Sequence, residues 1–149
     1  AQKTFISSTF WTERIGSVAA LKTLEVMERI RSWEKITNIG KDVGKKWKAL
    51  ANKYNLEIKV SGLPAVQSYS FCSKDNLKYK TLITQEMLKK GFLSTPLLFS
   101  CIEHNDEVIK SYMNALDDCF ALVRECEDGK SIDNILEGPV CHSGFKRLN

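Results

Sequence analysis

Glu57-Ile-Lys-Val-Ser-Gly-Leu-Pro-Ala-Val-Gln-Ser-Tyr-Ser-Phe71 decides the fold. Its first four residues, Glu57 to Val60, alternate polar and apolar; Gly62-Leu-Pro64 then punctuates the chain, and a second alternating run follows from Val66 to Phe71. A period of two places alternate side chains on opposite faces of a pleated strand, and a Gly/Pro break between two such runs marks adjacent strands. Two strands are therefore predicted inside a chain that elsewhere shows helical spacing.

Upstream, Ile36, Ile39, Val43, Trp47, Leu50 and Tyr54 step by three or four residues, the stripe of an amphipathic helix that Asn55 closes. Gly40 and Gly44 interrupt it at a cost of about 1 kcal/mol each against Ala, so close packing against a neighbour is their expected use. An earlier stripe, Ala20, Leu24, Met27 and Ile30, predicts a helix over 13–34, with Thr12 and Glu13 suited to its start. Downstream, Asp75 or Asn76 caps a helix bearing Leu82, Ile83, Met87 and Leu88, and Gly91 is placed to close it. Leu97 to Ile102 reads as extended. His104 or Asn105, followed by Asp106 and Glu107, opens a last long helix with the stripe Val108, Tyr112, Leu116, Cys119 and Val123, ending near Asp128-Gly129. Residues 130–149 read as an irregular tail with a short helix at Ile132 to Leu136, and residues 1–12 as an extended lead-in. The sum is one α+β domain over residues 1–149: a small, mostly antiparallel sheet with helices packed on one face.

A chain of 149 residues with 43% hydrophobic and 27% charged residues can bury a core without staples. The net charge of +4 is spread over helical stretches among acidic residues, as on a solvated helix face, and no nucleic-acid-binding motif accompanies it. Cys72, Cys101, Cys119, Cys126 and Cys141 contain no C-x-x-C pair and no histidine at zinc-ligand spacing, which disfavours a disulfide framework and a structural metal and fits a reducing cytoplasm. No apolar run is long enough to span a bilayer. Ala1 opens the chain without an initiator methionine, as in a processed product or a piece of a longer protein.

Few catalytic constellations are present. The sequence has no Gly-rich phosphate loop, no G-x-S-x-G elbow and no H-E-x-x-H, and its two histidines are His104, at a helix start, and His142, in the tail. For His104 a cap or turn role is the ordinary reading, with general-base work as the sharper one. The most unusual passage is Phe5-Ile-Ser-Ser-Thr-Phe-Trp-Thr-Glu-Arg-Ile-Gly16, where hydroxyls precede a helix start. Such a cluster can seat a phosphate or can simply cap the helix.

Ser7-Ser-Thr-Phe-Trp-Thr-Glu-Arg-Ile-Gly-Ser-Val-Ala-Ala20, with Thr23-Leu24, Gly91-Phe92, Glu103-His-Asn-Asp-Glu107 and His142-Ser-Gly-Phe-Lys-Arg-Leu-Asn149, resembles the C-terminal segment of class III pyridoxal-phosphate-dependent aminotransferases, in the branch similar to glutamate-1-semialdehyde aminomutase. The resemblance covers nearly the whole chain. It implies the small domain of an aspartate-aminotransferase-like fold, pyridoxal 5'-phosphate in the complete enzyme, a homodimer, and amino-donor and carbonyl-acceptor substrates. It also implies that Thr9, with Ser8 beside it, reaches the cofactor phosphate bound in the partner subunit. The Schiff-base lysine and the acid that pairs with the pyridine nitrogen lie upstream in that family, so no catalytic residue is expected here and the missing large domain is the first partner. Between Gly91 and His104 the aminomutase has a longer loop with an acidic residue facing the active site; Phe92 to Ile102 is shorter and has no acid, which argues against the aminomutase reaction and leaves other carbonyl substrates, sugars or keto acids among them. The alternative is a free-standing, non-catalytic ligand-binding or interaction module.

Overall fold

The computed structural model describes residues 13–144. The lead-in over residues 1–12, and with it Ser8, Thr9, Phe5, Phe10 and Trp11, lies outside the described residues. The chain divides into two compact units with the boundary after Trp33.

In the first unit, α1 spans Arg14–Ile30. It ends at Arg31, whose φ of 50° and ψ of 50° are left-handed and whose N–H reaches back to the carbonyl of Glu28 at 3.2 Å. A left-handed residue cannot continue a right-handed helix, so the single helix expected over 13–34 is two helices, and α2 begins at Ser32. No residue of α1 is buried: Ile15, Val18, Leu21 and Leu24 are between 61% and 78% exposed.

The helix α2 spans Ser32–Lys53, α3 Asn76–Lys89 and α4 Asp106–Glu127. Three helix ends close by the same device. Past α2, Asn55 takes φ 50° and the N–H of Leu56 bonds the Ala51 carbonyl at 2.9 Å; past α3, Gly91 takes φ 84° and Phe92 bonds Met87 at 2.9 Å; past α4, Gly129 takes φ 112° and Lys130 bonds Glu125 at 3.0 Å. Each is a left-handed residue followed by an N–H that reaches three residues inside the helix and satisfies an orphan carbonyl. At the other end of α4 the side-chain oxygen of Asn105, rather than His104, accepts the Val108 N–H at 3.0 Å.

The strands β1 (Ile58–Leu63), β2 (Val66–Phe71) and β3 (Leu97–Phe99) form an all-antiparallel sheet in the order β1-β2-β3. The register pairs Leu63 with Val66 across Pro64-Ala65, and Val66 with Phe99. Alternation assigns the faces. Gln67, Tyr69 and Phe71 are buried, while Val66 and Ser70 are exposed and Ser68 is half-buried. Against the buried face α2 sets Trp47, with its ring centroid 4.8 Å from that of Tyr69; α4 sets Phe120, 5.6 Å from Tyr69 and 5.3 Å from Phe71; α3 sets Tyr79, 5.5 Å from Phe71. The fold is thus α+β with the three helices of the second unit on one face of a small antiparallel sheet. Leu82, Ile83, Met87, Leu116, Cys119 and Val123 fill the space between α3 and α4 and complete the core.

The α2 glycines have the use expected of them. A Cβ on Gly40 would lie 1.6 Å from the carbonyl oxygen of Pro64, and one on Gly44 would lie 2.7 Å from the Gln67 amide oxygen. The β1–β2 turn crosses α2 at these two positions. The Gln67 amide donates to the Gly40 carbonyl, so a glutamine on the core face has its partner on the helix that buries it.

Candidate functional site

An apolar groove of about 380 Å³ lies in the second unit between α2, β3 and the start of α4. Val43 of α2 forms its floor. Phe92 to Thr95, the segment that leaves the closed end of α3, forms one wall, Leu97 to Phe99 of β3 the next, and His104, Val108, Ile109 and Tyr112 the last.

Its polar groups are fixed by hydrogen bonds. Trp47 Nε1–H donates to the Tyr112 hydroxyl at 3.0 Å. Burial pushes the Tyr112 phenol up to about 12, against the opposing pull of hydrogen bonds from Trp47 and Ser94, so at neutral pH it is an uncharged hydrogen-bonding group and not a base. The Nδ1 of His104 accepts the Cys101 N–H at 3.2 Å, and the His104 N–H donates to the Cys101 carbonyl at 3.0 Å. The ring therefore pins the turn that leads into α4, the ordinary role expected of it, and in the neutral form its hydrogen sits on Nε2. Tyr112 carries a signal that periodicity alone does not show. Spacing places it on the core stripe, whereas its hydroxyl is the polar anchor of the groove.

Among the described residues no lysine, arginine or carboxylate lines this groove. A lysine that forms an imine needs its amine neutral, hence a depressed pKa. The resolved shifts run the other way: hydrogen bonds donated to Asp117, Asp133, Glu137, Asp118 and Glu125 raise Lys53, Lys78, Lys89, Lys90 and Lys130 respectively. What the described residues can supply is a wall that excludes water and a few neutral hydrogen-bonding groups. At this groove they offer no amine for the covalent seat of an amine-binding cofactor. Among the described residues no cluster of His, Cys, Asp or Glu could hold a metal ion, and no helix is long and apolar enough to cross a membrane.

No protein-family model matches the chain. It is 26% identical over 130 residues to the 3-aminobutyryl-CoA aminotransferase of Cloacimonas acidaminovorans (strain Evry), a stretch that covers 84% of this chain and 31% of the relative. The fold superposes on the structure of the PLP internal aldimine form of the FumI protein of Sphingopyxis sp. MTA144 with a TM-score of 0.75 and 20% sequence identity, covering 91% of this chain and 33% of that one. The chain is homologous to an aminotransferase. It spans about a third of the length of the curated relative it matches.

Proposed function

We propose that this chain is the C-terminal domain of a cytoplasmic class III, pyridoxal-phosphate-dependent aminotransferase of the branch similar to glutamate-1-semialdehyde aminomutase, and that it is inactive by itself. The observation that carries the reading is the aminotransferase similarity over 84% of the chain together with the fold shared with a PLP-form structure. In the complete enzyme the cofactor supplies the electron sink for amino transfer. This chain supplies a wall of the substrate pocket, with the groove floored by Val43 and anchored by Tyr112 as the part that excludes water and orients substrate. Ser8 and Thr9 supply the contact to the phosphate held in the partner subunit of a homodimer, where hydroxyls before a helix start suit an anion. The lysine and the acid that the chemistry requires belong to the large domain that completes the polypeptide.

Exposed apolar side chains support a missing partner surface. Ile15, Val18, Leu21 and Leu24 of α1, and Leu63, Val66 and Phe99 in one row on the outer face of the sheet, are all open to solvent among the described residues. A free-standing module would leave both patches uncovered.

The test is to express the complete reading frame that contains this chain, reduce the holoenzyme with borohydride and map the cofactor-modified peptide. The expected adduct is on a lysine outside residues 1–149, with transaminase activity in the complete protein and none in this chain alone. An adduct on any lysine of this chain would overturn the proposal, as would a complete protein that neither binds the cofactor nor transaminates. Thr9→Val in the complete protein is expected to weaken cofactor binding about tenfold, the worth of one charge-assisted contact.

A further inference from the structure

A second recess, of about 450 Å³, lies along the free edge of β2 beyond the point where β3 stops pairing. The backbone donors of this edge are already taken: the N–H of Tyr69 bonds the Pro96 carbonyl at 3.1 Å and the N–H of Phe71 bonds the Asn76 side-chain oxygen at 2.9 Å. An added strand would find these N–H groups already bonded, so an anion here must take its donors from side chains. Those that line the recess include Lys80 of α3, Ser70 of β2, and His142 and Ser143 of the tail, with no carboxylate among the described residues.

The arrangement is held in place. The Cys141 N–H donates to Thr81 Oγ1 at 2.9 Å and its thiol meets the Leu77 carbonyl at 3.6 Å, which ties the tail to α3 and sets His142 and Ser143 into the same recess as Lys80. Lys80 also differs from its neighbours on α3. Lys78 is ion-paired with Asp133 at 2.7 Å and Lys89 with Glu86 and Glu137 at 2.7 Å each, and Lys90 just past the helix is ion-paired with Asp118, while Lys80 has no carboxylate partner among the described residues. Among the described residues, a cation with no carboxylate partner stands in this recess beside hydroxyls and a ring that offers an N–H in either protonation state, groups that can all donate to one anion.

We infer that Lys80, His142, Ser70 and Ser143 form a binding site for the oxyanion of a small molecule, a carboxylate or a phosphate group. The site is distinct from the apolar groove and does not depend on the aminotransferase reading. The test is titration of the full chain with inorganic phosphate and, separately, with acetate at constant ionic strength, following the His142 ring resonances by NMR. Saturable shifts with either anion are expected, about tenfold weaker in Lys80→Gln, restored in Lys80→Arg, and unchanged in Lys110→Gln on the exposed side of α4. A preference for phosphate identifies a phosphate ester as the ligand chemistry, and a preference for acetate a carboxylate. Shifts that do not saturate, or an equal loss in Lys80→Gln and Lys110→Gln, would show only diffuse charge attraction and overturn the site. All three variants change exposed side chains, and circular dichroism of each checks that it folds.

Discussion

Gly40→Ala should destabilise the protein even though it replaces the poorest ordinary helix former with the best. In an open helix the exchange stabilises by about 1 kcal/mol. At Gly40 the new methyl would sit 1.6 Å from the Pro64 carbonyl oxygen and 2.5 Å from its carbonyl carbon, and both are backbone atoms that no rotamer change can move. Relief requires α2 and the β1–β2 turn to separate by more than 1 Å, an overpacking cost of about 1–3 kcal/mol. That separation also breaks the bond from the buried Gln67 amide to the Gly40 carbonyl, and a buried polar group left unpaired costs about 1–3 kcal/mol more. After the propensity gain the net loss is about 1–5 kcal/mol, a fall in Tm of about 2–20 °C for a chain of this size. Gly16→Ala is the internal control. Its Cβ meets nothing within 4 Å in α1, so that variant should be neutral to stabilising by about 1 kcal/mol. Thermal and urea unfolding of both variants, followed by tryptophan fluorescence from the buried Trp47, make the comparison. If Gly40→Ala melts at or above the wild-type temperature, the close crossing of α2 and the β-turn is wrong.

Tyr112→Phe removes the acceptor for the fully buried Trp47 N–H and should cost about 1–3 kcal/mol by urea unfolding, whereas an unchanged midpoint would mean that the bond contributes nothing. Asn105→Ala deletes the side-chain cap of α4 and should cost about 1 kcal/mol, visible as a lower Tm; no change would assign the start of α4 to other groups. The hydrogen bond from Lys53, aided by one from Tyr54, holds the Asp117 carboxyl below its usual range, so it stabilises the fold above the ordinary aspartate pKa and loses that contribution as pH falls through the depressed value. Because Lys53 is exposed, Asp117→Asn should cost less than about 1 kcal/mol at neutral pH in low salt, and the difference from wild type should vanish in acid; a difference that grows in acid would reverse the sign of the argument.

Sequence periodicity located every helix of the second unit and both long strands, because each buries one face and the spacing of apolar residues records which. It was less able to fix details set by long-range geometry. The stripe on α4 placed Val108 inward, but Ile109 and Phe120 are buried and Val108 faces the groove, since the first turn of a helix can rotate out of register with the core without breaking the pattern. Leu88, expected on the core stripe of α3, is 56% exposed. Gln67 falls on the core face because Tyr69 and Phe71 dictate the alternation, and nothing local announces that its partner is a carbonyl 27 residues earlier. The break at Arg31 was hidden by a pair of apolar stripes that read almost continuously, although Ser32 is a residue that favours helix starts. The site was less legible than the fold. Tyr112 was visible only as a core position, Lys80 only as one lysine among many, and Ser8 and Thr9 rest on resemblance.

The absence of any buried side chain along α1 has a consequence in time as well as in energy. A 17-residue helix with no fully buried side chain draws most of its stability from its own hydrogen bonds, and an isolated helix of that length is marginal in water. Its amides should therefore exchange with solvent by local fraying, within the dead time of an ordinary hydrogen-exchange experiment. Those of Leu116 to Val123, held in the core, should open only with the second unit as a whole. The same chain thus carries a fast clock and a slow one, and any surface that comes to cover Ile15, Val18, Leu21 and Leu24 would be read out as the fast clock slowing down.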